Sequence, residues 1–400
     1  MRIFVQCLAM LSLAAGSLGM EVAQAGELPA RQGNNGLNGG VYALTVIGES
    51  LYAGGRFSAA VGAASGGLNN IARYRGSAWR PLAHGGLDDR VYALATSGGD
   101  LYVGGAFGAT ADGAVEDLNG IAVYRRGAWE PLSHSGLNGI VRALVAIGSD
   151  LYVGGLFTQT ADGKVQHLNH IARYDMNTGE WHALAHAGLN SAVYALEGIG
   201  GDLYAGGAFM RSGDESVSGL NGIARYRNGN WQALAHGGLN NKVFALAASG
   251  GDLYAGGRFS RSADGAVGEL NSIALYRADK WQPLANEGLN AFVYALESSG
   301  EDLYAAGAFR ETADGSLPGL VSVAHYTMSE GAWHSLAHGG LYRLGYALTI
   351  SGSDLYVGGY FARTADGEVR SLNNVIRYRD ENWLELIHWE FGEEVLAARE

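Results

Sequence analysis

A seven-residue pattern, Leu-Tyr-(Val/Ala)-Gly-Gly-x-Phe, recurs seven times in this 400-residue chain, with one Ala-Gly variant at Ala306-Gly307. The copies begin at Leu51, Leu101, Leu151, Leu203, Leu253, Leu303 and Leu355, separated by 50, 50, 52, 50, 50 and 52 residues. A fixed period near 50 residues requires a repeat architecture, in which each unit buries its apolar face against the next. Length alone would allow two or three domains, but stacked repeats share one continuous body.

Each repeat runs through four short phases. In the first they are Val41–Leu44, Leu51–Phe57, Ile71–Tyr74 and Trp79–Leu82. All four are rich in β-branched and aromatic residues, and glycine or polar turns bound them, so they read as strands. Turns such as Ser97-Gly98-Gly99-Asp100 join the first two as hairpins. The two 52-residue spacings arise where six residues, Asp175–Glu180 and Thr327–Ala332, replace the usual four between a Tyr and the following Trp. Extra length in a turn costs little. Seven units of four antiparallel strands make an all-β, seven-bladed β-propeller. The tryptophans Trp79, Trp129, Trp181, Trp231, Trp281, Trp333 and Trp383 are expected to fill the wide outer space between blades. The glycine pairs suit close backbone approach. Since the repeats begin at strand one and end at strand four, the ring is expected to close by packing of the first blade on the last, without a swapped strand.

The diglycine ending strand two, the Tyr of strand three and the Trp that follows resemble the kelch repeat. Tyr174-Asp175-Met176-Asn177-Thr178-Gly179-Glu180-Trp181 is the copy most similar to the kelch segment. The resemblance spans roughly residues 40–388. Five repeats have the shorter Tyr–Trp spacing, and repeat six lacks the glycine pair. The resemblance implies the propeller but not one activity, because kelch propellers serve as enzymes, scaffolds and binding modules.

Residues 1–25 read as a cleaved secretory signal. Arg2 precedes an apolar core over Ile3–Leu18, and Ala23-Gln24-Ala25 supplies the small-x-small site. The core is too short and too interrupted for a membrane span. The expected organisation is therefore signal peptide 1–25, N-terminal lead 26–39, propeller 40–388 and an acidic tail 389–400. The mature chain is expected outside the cytoplasm, in the periplasm or extracellular space, as a monomer without membrane insertion. The only cysteine, Cys7, lies in the signal, so no disulfide supports the mature fold. Formal net charge is −12 with no basic cluster, which argues against nucleic acid as a partner.

Antiparallel order places the loops from strand two to three, and from strand four to the next blade, on one face. Binding usually resides on such loops. The first loop carries Asp112, Asp162, Asp214, Asp264, Asp314 and Asp366 in a Thr-Ala-Asp-Gly-like run that the first repeat lacks. One obvious carboxylate per loop is too few for calcium, so these are read as turn caps. The second loop carries His84, His134, His186, His236, His338 and His388, with Asn286 in the fifth repeat. Metal ligands must approach one ion to about 2 Å, and residues one blade apart do not converge that closely. The histidines are therefore read as donors to loop backbone, and asparagines such as Asn119 and Asn138 as braces. Neither metal nor cofactor is expected. Repeat six departs most, with Pro318, Val321, His325 and Tyr342, and is the place to look for a site that breaks the symmetry.

Three functions follow. A non-enzymatic interaction scaffold, binding a protein on the long-loop face, is favoured by near-identical loops and the lack of a catalytic constellation. A multivalent carbohydrate-binding module is the runner-up, since several weak equivalent sites bind strongly together. A sugar-processing enzyme is third: kelch-type copper oxidases need a cysteine-crosslinked tyrosine, and no nucleophile–base pair stands apart from the repeats.

Overall fold

In the computed structural model, which describes residues 36–62 and 66–386, each repeat becomes one sheet of four antiparallel strands paired in chain order. In the first blade these are Gly40–Ile47, Ser50–Arg56, Ile71–Arg75 and Ala78–Pro81. Strand two is buried almost end to end, because a neighbouring blade covers each face of its sheet. The first strands of adjacent blades pack on one another, blade seven on blade one included, so strand one is innermost and the seven sheets form a closed propeller. Among the described residues no helix is long and apolar enough to cross a membrane. The expected signal peptide with Cys7, His388 and the expected tail lie outside the described residues.

The core lies between blades. Tyr52 and Ile71 of blade one pack with Val91, Leu101, Val103 and Trp129 of blade two. Ala347, Tyr356 and Val375 of blade seven meet Leu37, Val41 and Trp79 of blade one in the same way. Fully burying one such Leu, Ile or Phe side chain is worth about 1.5–3 kcal/mol, so these clusters dominate the cohesion of the ring. All seven tryptophans are buried against the Tyr of strand three, with ring centroids 4.7–5.3 Å apart. Five of them, Trp129, Trp181, Trp281, Trp333 and Trp383, donate Nε1–H to a carbonyl in the preceding blade's last turn at 2.8–3.2 Å.

The first glycine of each pair makes room for the valine that opens strand one of the next blade. A Cβ on Gly154 would stand 2.6 Å from Val193 Cγ1, and one on Gly256 2.6 Å from Val293 Cγ1. Blade six reverses the sizes: Ala306 faces Gly345, whose own Cβ would come within 2.9 Å of that of Ala306. The Ala306-Gly307 departure is thus matched by the loss of the facing valine.

Among the described residues the ring closes without a swapped strand. Leu37 N donates to Asn373 O at 2.8 Å, and Asn374 Nδ2 donates to Leu37 O at 2.8 Å. Leu37 is fully buried and bridges Ala60 as Leu87 bridges Thr110, so the repeat reaches back to Gly36, into the expected N-terminal lead. In every blade the pairing of strands one and two shifts by one residue at a β-bulge. The extra residue is Tyr42, Tyr92, Arg142, Tyr194, Phe244, Tyr294 or Tyr346, and bulges re-aim the side chains they carry.

Candidate functional site: the loop face

The link after strand four turns through a single 3-10 step, Ala83–Gly85 in blade one. Its central residue takes a left-handed conformation, with φ of 58° at His84, 60° at His134 and His186, 58° at His236, 59° at His338 and 55° at Asn286. Histidine and asparagine tolerate this region better than most side chains. The turn aims each imidazole at the next blade. Nδ1 of His84, His134, His186, His236 and His338 meets Asp112, Asp162, Asp214, Asp264 and Asp366 at 2.8–3.2 Å. Asn286 Nδ2 donates to Asp314 at 3.2 Å in the same position. The two residue series read separately from the sequence are therefore one set of inter-blade pins, and the histidines bond a carboxylate instead of loop backbone. A carboxylate can only accept here, so Nδ1 carries the hydrogen.

The aspartates also organise their own loops, as turn caps should. Asp112 Oδ1 accepts from Thr110 Oγ1 at 2.9 Å and Ala114 N at 3.0 Å, while Thr110 Oγ1 accepts from Val115 N at 3.0 Å. The Ala114 amide and then His84 hold the Asp112 carboxyl down at about 2. The Ala266 amide, Ser262 and His236 do the same for Asp264, and Thr364 with the Glu368 amide for Asp366. Asp314 is likewise held well below the usual range, by Thr312 and Ser316, although its partner Asn286 is neutral. The loop's own hydrogen bonds thus suffice for the shift. The Thr or Ser two residues before each Asp was the missed member of this motif, and its regular spacing was the available signal.

In blade four Ser216 Oγ lies 2.8 Å from His186 Nδ1 and 2.6 Å from Asp214 Oδ1. A nucleophilic relay needs serine and aspartate on opposite ring nitrogens. Here both meet Nδ1, which makes the cluster a brace. In blade seven Glu368 Oε2 comes within 3.6 Å of His338 Nδ1 beside Asp366, a three-ligand group at the surface. Asp366 is already engaged by Thr364 and the Glu368 amide.

Asparagines brace the loops as expected. Asn119 Nδ2 donates to Ser135 O at 2.8 Å, and Thr158 N donates to Asn138 Oδ1 at 2.8 Å. Val321 and Tyr342 lack these groups. There Val321 bridges Gly340 directly, and the inner hairpin of blade seven continues upward as Leu341–Ser351 paired with Asp354–Thr364. The departures of repeat six consequently separate. Tyr342 stands on the loop face with Arg363 4.1 Å over its ring, next to Tyr360 with Arg343 at 5.3 Å. His325 lies instead on a lateral groove of about 730 Å³ between blades six and seven, lined also by His334 and His338. It stacks on Tyr304 at 4.8 Å and bonds Asp302 at 2.6 Å. That bond belongs to a second series, in which acids of the lower turns pair with strand three: Arg125 with Asp100, Arg173 with Asp150, Arg227 with Asp202 and Arg277 with Asp252.

Between adjacent blades the loop face is cleft. The cleft of blades four and five, about 510 Å³, is lined by Phe209, Met210, Asn221, Asn240 and Arg261. Equivalent clefts of about 380, 420 and 360 Å³ lie at blades two and three, five and six, and seven and one. Asn138, Asn290 and Asn38 stand where Asn240 does.

The chain matches no protein-family model and no curated protein. Among solved structures it is similar to the computationally designed Ika8 protein, with a TM-score of 0.52 and 15% identity over 86% of this chain and 95% of that one. It is also similar to the WD40 β-propeller domain of Doa1, with a TM-score of 0.51 and 14% identity over 86% and 93%. At such identities the likeness establishes the propeller fold alone.

Proposed function

We propose that this chain is an exported, non-catalytic, kelch-like propeller that docks a protein partner on its loop face. The observation that carries this reading is the placement of exposed apolar side chains. Among the described residues the large hydrophobics that reach solvent are Val61, Leu156, Met210, Tyr342 and Tyr360, and all five lie on the loop face. Tyr342 and Tyr360 share the cleft of blades seven and one, and Met210 lines that of blades four and five; apolar groups gathered in a polar-rimmed cleft mark an interaction site. The pins between blades hold this surface in one arrangement, so little ordering remains to oppose binding. The leader-like residues 1–25 support action outside the cytoplasm, with the mature chain a monomer.

The test is capture from the exporting cell's envelope by the purified protein. A partner held by the wild type and lost with Met210→Asp/Tyr360→Asp, but kept with the lower-face variant Asp100→Asn, supports docking here. Equal capture by all three proteins refutes it. The repeated clefts favour a second reading, a multivalent glycan-binding module, because their common asparagines offer the same polar contacts several times. A glycan array with and without calcium distinguishes the two. Selective binding with several sites per chain establishes the glycan reading, and calcium dependence would return the aspartate loops to consideration as ligands.

A further inference from the structure

The seven bulged residues of the innermost strands form a belt. Ring centroids lie 5.6 Å apart for Tyr42–Tyr92 and Tyr42–Tyr346, 5.6 Å for Tyr194–Phe244, 5.8 Å for Phe244–Tyr294 and 5.4 Å for Tyr294–Tyr346. With Arg142 over Tyr92, six of the seven neighbouring pairs at this register position of the innermost strands meet, so these residues surround the axis. The belt therefore lines the central channel near its loop-face end, where strand one begins. Six members are aromatic. The seventh is Arg142, whose guanidinium carbon stands 3.9 Å over the Tyr92 ring.

Arg142 contrasts with the strand-three arginines that face the lower turns. The strand-three arginines Arg125, Arg173, Arg227, Arg277 and Arg379 each have an acidic partner. Arg142 has none among the described residues, and its Nε is buried without an acceptor. Arg90, the residue before strand one of blade two, reaches the Tyr92 hydroxyl from another side at 3.5 Å, and its Nε is also buried without an acceptor. Its one ion pair is a loose contact of 3.8 Å with the adjacent Asp89. Lys242 precedes strand one of blade five as Arg90 does in blade two, and Arg258 stacks at 5.0 Å on Phe292, the equivalent residue of blade six. Lys242 and Arg258 line the neighbouring clefts, and Asp89 adjoins Arg90, so the two cations turned to Tyr92 are Arg142 and Arg90.

A partly desolvated guanidinium among aromatic rings is costly unless an anion meets it. Guanidinium groups match carboxylate and phosphate oxygens in a fixed fork. We propose that the loop-face mouth of the central channel is a single binding site for the carboxylate or phosphate group of a small anionic ligand. Arg142 and Arg90 hold the oxyanion on either side of Tyr92, and the belt receives an apolar or planar remainder of the ligand. This site is distinct from the repeated clefts and does not depend on the docking surface proposed above.

Arg142→Tyr is the informative substitution, because tyrosine is the residue that five other blades carry at this position and the belt already accommodates it. Titration calorimetry with phenyl phosphate, benzoate, inorganic phosphate and acetate measures the site directly. The expected result is one site per chain, weakened by added salt, with the aryl anions bound at least tenfold more tightly than the bare ones. Arg142→Tyr should weaken every one of them at least tenfold, and the anions should raise the melting temperature of the wild type but not of the variant. Preference for phenyl phosphate over benzoate, or the reverse, identifies the group. Arg90→Ala should weaken binding independently, which keeps the test sound if the first variant misfolds. No binding of any probe, several equivalent sites per chain, or wild-type affinity in both variants overturns the proposal.

Discussion

Asn286 does in the fifth link what histidine does in the others, and the comparison shows which atoms matter. Both side chains tolerate the left-handed turn and both present one N–H to the next blade's aspartate. The aspartate is the centre of the motif, because it ties together its own loop and its neighbour. Asp264→Ala should therefore accelerate amide exchange at Ala266 and Val267 and leave the rest of blade five unchanged. The pH effect has a definite sign. The folded state depresses Asp264 from an ordinary 3.8 to about 2, so its stabilisation is present above 3.8 and is lost as pH falls towards 2. Acid unfolding curves of Asp264→Ala should be correspondingly less steep in that window. Glu297, on an innermost strand, behaves oppositely. Burial, reinforced by the Glu197 charge, pushes it from 4.5 up to about 7, against a backbone hydrogen bond at Ile350. The folded state then holds the proton more tightly than the unfolded chain, so this contribution is full below 4.5 and disappears as pH rises through 7. Melting temperatures of Glu297→Gln should vary less than those of the wild type between pH 4.5 and 7, and exceed them above pH 7.

At the scale of the blade, the reciprocal exchange of Ala306 and Gly345 for glycine and valine identifies the inter-blade knob. Gly154→Ala should cost about 1–3 kcal/mol by overpacking against Val193. Adding Val193→Gly reproduces the blade-six arrangement, so denaturant unfolding of the double variant should show a favourable coupling of about 0.5–3 kcal/mol. Strictly additive losses would remove the knob from the account. The strands themselves were legible in the sequence, because alternation, turn residues and the 50-residue period all point one way. The longer turns were legible too: Asp175–Glu180 holds its extra residues through Gly179 N on Asp175 O without disturbing the pairing of Tyr174 with Trp181. The pins were not. His84 and Asp112 belong to different repeats, and only the ring places the end of one blade beside the loop of the next. Nor was the aromatic belt, because a β-bulge leaves no mark in a pattern of alternating residues. Its one visible trace was Arg142, in a column otherwise filled by Tyr and Phe.

For the whole molecule, cohesion is shared by seven interfaces, and one of them joins the chain's first blade to its last. Asn70 Nδ2 donates to Leu87 O at 2.9 Å at an internal junction, and Asn374 Nδ2 makes the same bond to Leu37 O at the closing one. Either alanine substitution leaves a buried carbonyl short of a donor, at a cost of about 1–3 kcal/mol. Hydrogen exchange should nevertheless separate them. Asn374→Ala should expose Val41 and Ala43 amides more than Asn70→Ala exposes those of Val91 and Ala93, because no covalent link backs the closing junction. The same junction sets the order of events in folding. The bond from Asn374 to Leu37 spans 337 residues, whereas the corresponding bond from Asn70 to Leu87 spans 17. Even against neighbouring repeats about 50 residues apart, shutting a loop this long costs about 1.7 kcal/mol more in chain entropy. Refolding should therefore proceed through an open, crescent-shaped array of docked blades, with closure of the circle as its last and slowest step.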